Sequence, residues 1–164
     1  MNYDKEFLSY IEVIINDPEF QKRKTYMHHH DTSVYEHSMQ VAYKAFLYAK
    51  KHKMDAKSAA IGGVLHDFYY KDWHIPRDKK EKFFEQHGFA HAREALDNSK
   101  RYFPDLVDDR VENIILRHMF PLNIRPPKYK EAWVVTLMDK LVSLEVIKHP
   151  KEYHTYLGIG GKKK

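Results

Sequence analysis

Asp139 stands at the centre of an apolar helical stripe. Ala132, Val135, Asp139, Val142 and Val146 follow one another at spacings of three and four, the period of a single helix face. An unpaired carboxylate in an apolar interior is prohibitively costly, so Asp139 calls for a cation, a buried ion pair or a dense hydrogen-bond shell. His118 ends a similar stripe after Val107, Val111 and Ile114 or Ile115, and His37 shares a face with Val41, Ala45 and Tyr48. One histidine in such a place is compatible with a hydrogen-bonded core residue. Three helices that each bring a metal-competent side chain to one interior point to metal chemistry. The chain has no cysteine, so a transition metal must be held by imidazole and carboxylate. Twelve histidines in 164 residues are an excess that points the same way.

His66 and Asp67 directly follow the apolar Val64-Leu65. Neighbours on a helix project about 100° apart, so both can reach one point only near the helix end or where other elements close around them. A neutral imidazole beside a carboxylate suits a divalent Mn, Fe, Co, Ni or Mg ion. A second pair, His30-Asp31, follows the polar run His28–His29 and reads as surface or pocket rim. His87 and His91 lie four apart, on one helix face, with Glu94 near them. Gly-Phe-Ala separates them, without the glutamate that H-E-x-x-H zinc chemistry requires. A solvent-facing role for both stays open.

These residues need helices to position them, and helical periods dominate the chain with no convincing alternating strand. The spacing predicts a helix from about Tyr3 to Asn16, stopped before Pro18, and a second from Val34 to His52 with Thr32 or Ser33 as N-cap. Asp55 caps a third, rich in small residues, ending near Asp67. Phe68 to Asp78 reads as a loop, followed by helices over about Lys79–Asn98, Asp105–His118 and Lys130–His149. Pro121, Pro126 and Pro127 make the stretch between the last two irregular.

At this point the ordered pattern resembles the H…HD…D signature of the HD superfamily of metal-dependent phosphohydrolases. Its elements are a histidine inside VYEHSMQVA, a His-Asp pair closing AAIGGVLHD twenty-nine residues later, and an aspartate inside VTLMDKLVS. The resemblance spans roughly residues 23–148. It implies an all-α, compact, single-domain helical bundle of the HD-domain type with about six main helices. Residues 1–22 would form an N-terminal helix packed on the core, 23–149 the HD domain and 150–164 a flexible basic tail. It further implies that His37, His66, Asp67 and Asp139 coordinate a first metal and that Asp67 is suited to bridging a second. HGFAHA looks like the family's second-metal segment, which makes His87 the preferred extra ligand, with His118 completing a binuclear site. His91 would be a substrate contact, a catalytic group or an alternative ligand. Phe68-Tyr69 departs from the Ile-Gly that follows the pair in the best-known subgroup. No Gly-Tyr-Pro element is present, which disfavours a cyclic-di-GMP phosphodiesterase of that subgroup.

The expected activity is hydrolysis of a phosphomonoester or phosphodiester of a nucleotide or related small metabolite, with one or two divalent metal ions per chain. A bound metal lowers the pKa of water from about 15.7 towards 7. Asp67, Glu36 and His91 are the candidate catalytic groups, Glu36 and His91 as helpers in deprotonating the water. Lys71, Arg77 and Lys140 are candidates for phosphate contact, with a solvated surface role as the alternative. Phe68, Tyr69, Tyr70 and Trp73 would stack a base or ribose, or cover the core. Two other readings use the same residues: a catalytically silent HD domain that senses a nucleotide or metal, and an HD-type di-iron oxygenase.

Composition sets the outer bounds. A chain of this length suits one domain that buries about two-thirds of its unfolded surface. Apolar residues make up 43%, a globular figure. No apolar run approaches the roughly 20 residues of a membrane span, and the N-terminus lacks a secretory pattern, so a cytoplasmic location and no membrane partner are expected. Of the net charge of +5, three charges are the terminal Lys162–Lys164, which leaves +2 on the rest. Those charges interleave with acids, so a solvated surface is expected rather than a nucleic-acid stripe. A homodimer is compatible with the sequence.

Overall fold

Short polar side chains open most of the helices. Asp4 caps α1 (Lys5–Ile15), Asp17 caps the single turn α2 (Pro18–Gln21), and Ser33 caps α3 (Val34–Lys51). Asp55 caps α4 (Ala56–Leu65), and Asp108 caps α6 (Asp109–Arg117). Each supplies an acceptor for backbone N–H groups that the first helical turn leaves unpaired, an effect of about 1 kcal/mol. α5 (Phe83–Tyr102) and α7 (Lys130–Lys148) complete the set. The computed structural model describes residues 3–29, 32–70 and 83–148, without the side chains of 27–29, 83–90 and 145–148. Among the described residues the architecture is all-α, with one short antiparallel pair, β1 (Met27–His29) and β2 (Thr32–Ser33). No described helix is long and apolar enough to cross a membrane.

α4 is the axis of the bundle. It is apolar on every side, with Ser58 to Leu65 all buried, and it packs against α1, α3, α6 and α7. Gly62 and Gly63 permit this approach. A Cβ on Gly63 would stand 2.6 Å from the Ala42 Cα of α3, and one on Gly62 would stand 2.7 Å from Ile114 of α6. On one side Phe7, Ile11 and Ile14 of α1 pack with Phe46, Leu65 and Phe68. On the other, Val41, Ala45 and Ala49 of α3 pack with Ala132, Val135 and Val142 of α7. The second cluster clamps α3 to α7 with His37 and Asp139 facing each other across it.

Several boundaries differ from those the sequence predicts. α5 continues four residues past Asn98, because Phe103 is buried and the chain turns only at Pro104. Pro104–Leu106 is a 3-10 turn, and α6 starts only at Asp109, capped by Asp108. α2 and the strand pair are additional. The strand pair falls in the polar stretch before α3, and its β2 end passes directly into the capping box of that helix. Residues 150–164, expected as a basic tail, lie outside the described residues.

Candidate metal centre

Two histidines reach the centre by the same local device. His66 is the C-cap of α4 and His118 the C-cap of α6. Each turns its ring back so that Nδ1 meets the carbonyl three residues earlier, Gly63 O and Ile115 O, both at 2.7 Å. A carbonyl only accepts, so Nδ1–H donates and Nε2 is turned into the interior as the atom free to ligate. Both rings are buried, and His66 Nε2 makes no hydrogen bond. An orphaned imidazole nitrogen at the centre of a protein is costly unless a proton or cation answers it.

The histidines and aspartates here fall into two groups, within each of which the donor atoms lie within 4.8 Å of one another. The first joins His37 of α3, His66 and Asp139 of α7. His37 Nε2 is 3.0 Å from Asp139 Oδ1, and His66 Nε2 is 3.8 Å from the same oxygen. The second joins Asp67, His91 of α5 and His118. Asp67 Oδ1 lies 3.7 Å from His91 Nε2 and 3.5 Å from His118 Nε2. The other oxygen, Asp67 Oδ2, lies 3.4 Å from His66 Nε2. Asp67 therefore presents one oxygen to each group.

The charges agree with a cation site. Burial alone would push the His66 imidazole down, but the Asp67 and Asp139 carboxylates outweigh it and hold its pKa at about 9. Burial alone would raise Asp139, yet the His37 and His66 rings hold its carboxyl well below the usual range. His91 and His118 bring their Nε2 atoms to 3.0 Å from each other. With Nδ1–H of His118 committed to Ile115 O, two facing nitrogens require a proton or a cation between them. Four imidazoles and two carboxylates, without sulfur, are a donor set for a borderline or hard divalent ion.

A family model described as HD domain matches residues 34–144, more than half of the chain. The chain belongs to the HD domain family. The match begins at the first residue of α3 and takes in the histidine, the His-Asp pair and the later aspartate of the signature. No curated protein and no solved structure matches the chain.

The sequence-predicted residues distribute as follows within this HD domain. His37, His66, Asp67, His118 and Asp139 come together. His91 joins them, although the sequence resemblance favours His87. His87 lies one turn earlier on α5, and its side chain is outside the described residues. Lys71 and Arg77 are also outside them. Glu36 sits in the capping box of α3, where its Oε2 accepts from the backbone N and Oγ of Ser33, both at 2.9 Å. Lys140 is half-buried, and its Nζ donates to His118 O at 3.1 Å, which braces the end of α6 that carries a candidate ligand. Tyr69 and Phe68 are buried, so in this structure both cover the core, and the Tyr69 ring stands edge-on to His91 at 5.8 Å. The sequence did not anticipate the braces on Nδ1. Their signal is a histidine placed as the last residue of an apolar helix, where the carbonyl three residues back is available.

Proposed function

We propose that this HD domain is a metal-dependent phosphohydrolase that cleaves a phosphomonoester or phosphodiester of a nucleotide or related small metabolite. The observation that carries the proposal is the pair of His/Asp groups joined through Asp67, with His66 Nε2 buried between them beside both carboxylates. His37, His66 and Asp139 would hold one divalent ion, and Asp67, His91 and His118 a second. Bound there, such an ion supplies acidified water at neutral pH and withdraws charge from a phosphoryl oxygen.

The chain's own residues do the rest. Asp67, with one oxygen towards each group, fixes the spacing of the two sites. Gly63 O and Ile115 O hold His66 and His118 in the tautomer that offers Nε2. His91 has an 11% exposed side chain, against 0% for His66 and 1% for His37 and His118, so it is the imidazole nearest solvent. With only the first ion bound, that position would suit it to take a proton from water or return one to the leaving alkoxide. Glu36, committed to its helix cap, is the weaker candidate for that role.

The test is a hydrolysis screen over nucleotides, cyclic nucleotides and sugar phosphates. It is run with Mn, Co, Ni, Mg or Fe(II), alongside Asp67→Asn. Metal-dependent ester cleavage that falls at least a hundredfold in the variant is expected. A folded, metal-loaded chain that turns over none of them would reject the hydrolase and favour a sensor, and oxygen consumption with iron would instead indicate an oxygenase.

A further inference from the structure

Arg23 is fully buried, yet no ligand group contains it and the family match begins eleven residues later. Its guanidinium carbon lies 4.6, 5.0 and 4.8 Å from the ring centroids of Tyr26, Phe68 and Tyr70. Its nearest carboxylate is Glu19 Oε1, 3.4 Å from Nη2, while the same nitrogen lies 3.3 Å from Glu19 O and Nε has no hydrogen-bond partner. A buried cation with so little neutralisation is an expensive structural element, and apolar replacements of buried ions are often tolerated or stabilising. Its purpose is found at the remaining nitrogen, where Nη1 donates to the carbonyl of Tyr69.

Tyr69 is two residues past Asp67. Each of the three residues after Asp67 is held at its backbone. Asn98 Nδ2 donates to Phe68 O at 2.8 Å, Arg23 donates to Tyr69 O, and Glu94 Oε1 accepts from Tyr70 N at 2.9 Å. Asn98 and Glu94 belong to α5, the helix of His91. Arg23 fastens the same segment from the N-terminal side. The Tyr69 ring, so placed, stands edge-on to the His91 ring at 5.8 Å, and His91 faces His118 and Asp67 Oδ1. The first group is braced differently, by the packing of α3 on α7 and by Gly63 O.

We propose that Arg23 is a positioning residue for the second ligand group. It acts through the Tyr69 ring on His91 and leaves His37, His66 and Asp139 untouched. The inference rests on reading the two groups as metal sites. The test is titration of the metal-free full chain with Mn(II), with the two binding steps assigned by His37→Ala and His118→Ala. Arg23→Met keeps the aliphatic stem and removes the guanidinium. It should weaken the second-group step about tenfold, the lower end of the loss when a group bonded directly to a ligand is removed, and leave the first-group step within twofold. Tyr69→Leu retains the carbonyl that Arg23 binds and removes the ring, so it should reproduce the same selective loss even where Arg23→Met fails to fold. Arg23→Lys, which keeps a charge and a donor, should recover part of it. Equal weakening of both steps, no weakening of either, or a wild-type chain that binds at most one ion would overturn the proposal. The readout needs no turnover, so two bound ions without hydrolysis would reject the phosphohydrolase and leave this role of Arg23 standing.

Discussion

His66 is where structure and chemistry meet most tightly. Its Nδ1–H is spent on Gly63 O, its Nε2 is buried beside two carboxylates, and its metal-free pKa is about 9. At pH 7 the metal-free ring therefore carries a proton that a metal must displace, because only the neutral imidazole ligates. The sign follows directly. Metal affinity should rise with pH towards about 9, and binding at pH 7 should release about one proton from this residue. Metal titration in a weak buffer with a pH indicator should show this, with about one proton fewer released by His66→Gln. Equal release from both chains would remove His66 from the site. At this scale the sequence was highly legible: polar residues on apolar helix faces named His37, His118 and Asp139, and the His-Asp pair followed. The choice between His87 and His91 was not legible, because four-residue spacing alone treats them alike; the structure brings His91 against Tyr69 and His118.

At the scale of elements, caps and small residues decide where the ligands stand. α3 closes with Lys53 at φ 56°, a left-handed conformation in which Met54 N bonds Ala49 O at 2.9 Å and Lys53 N bonds Lys50 O at 3.3 Å. A side chain there costs about 1–2 kcal/mol relative to an unstrained backbone. Lys53→Gly should therefore raise stability by about 1 kcal/mol, or about 2–4 °C in Tm, without altering metal binding. A calorimetric scan checks it, and an unchanged or lower Tm would show that the lysine carries a compensating contact. The helices themselves were largely legible, because Pro18, Asp55 and Pro104 punctuate strong periodic runs. The β1–β2 pair was not: two and three residues are too few for an alternating pattern to register, and β2 is fixed by its continuity with the cap of α3. Arg23 also escaped notice, since within Lys22-Arg23-Lys24 it reads as one more solvated cation.

Over the whole molecule, the centre ties together α3, α4, α5, α6 and α7, so occupation should stabilise the folded chain as a unit. With Mn(II) at about a hundred times its dissociation constant, linkage predicts about 2.7 kcal/mol, or a Tm higher by about 5–10 °C than after chelation. Differential scanning with and without chelator measures the shift, and the same scan on Asp139→Asn should show most of it gone. Indistinguishable Tm values for loaded and stripped wild-type protein would mean that the six side chains hold no ion in the folded state. The helical domain and the H…HD…D order were visible in the sequence because each signature residue interrupts an apolar pattern. The division of six ligands into two groups needed the three-dimensional packing, which alone turns one Asp67 oxygen to each side.

Anomalous diffraction from crystals of the Mn(II)-loaded chain, with data at the manganese edge, would locate the two ions outright. One peak is expected among His37, His66 and Asp139 and another among Asp67, His91 and His118, with Asp67 between them. No anomalous peak at these residues in crystals of protein that retains manganese in solution, or a peak held by other side chains, would contradict it.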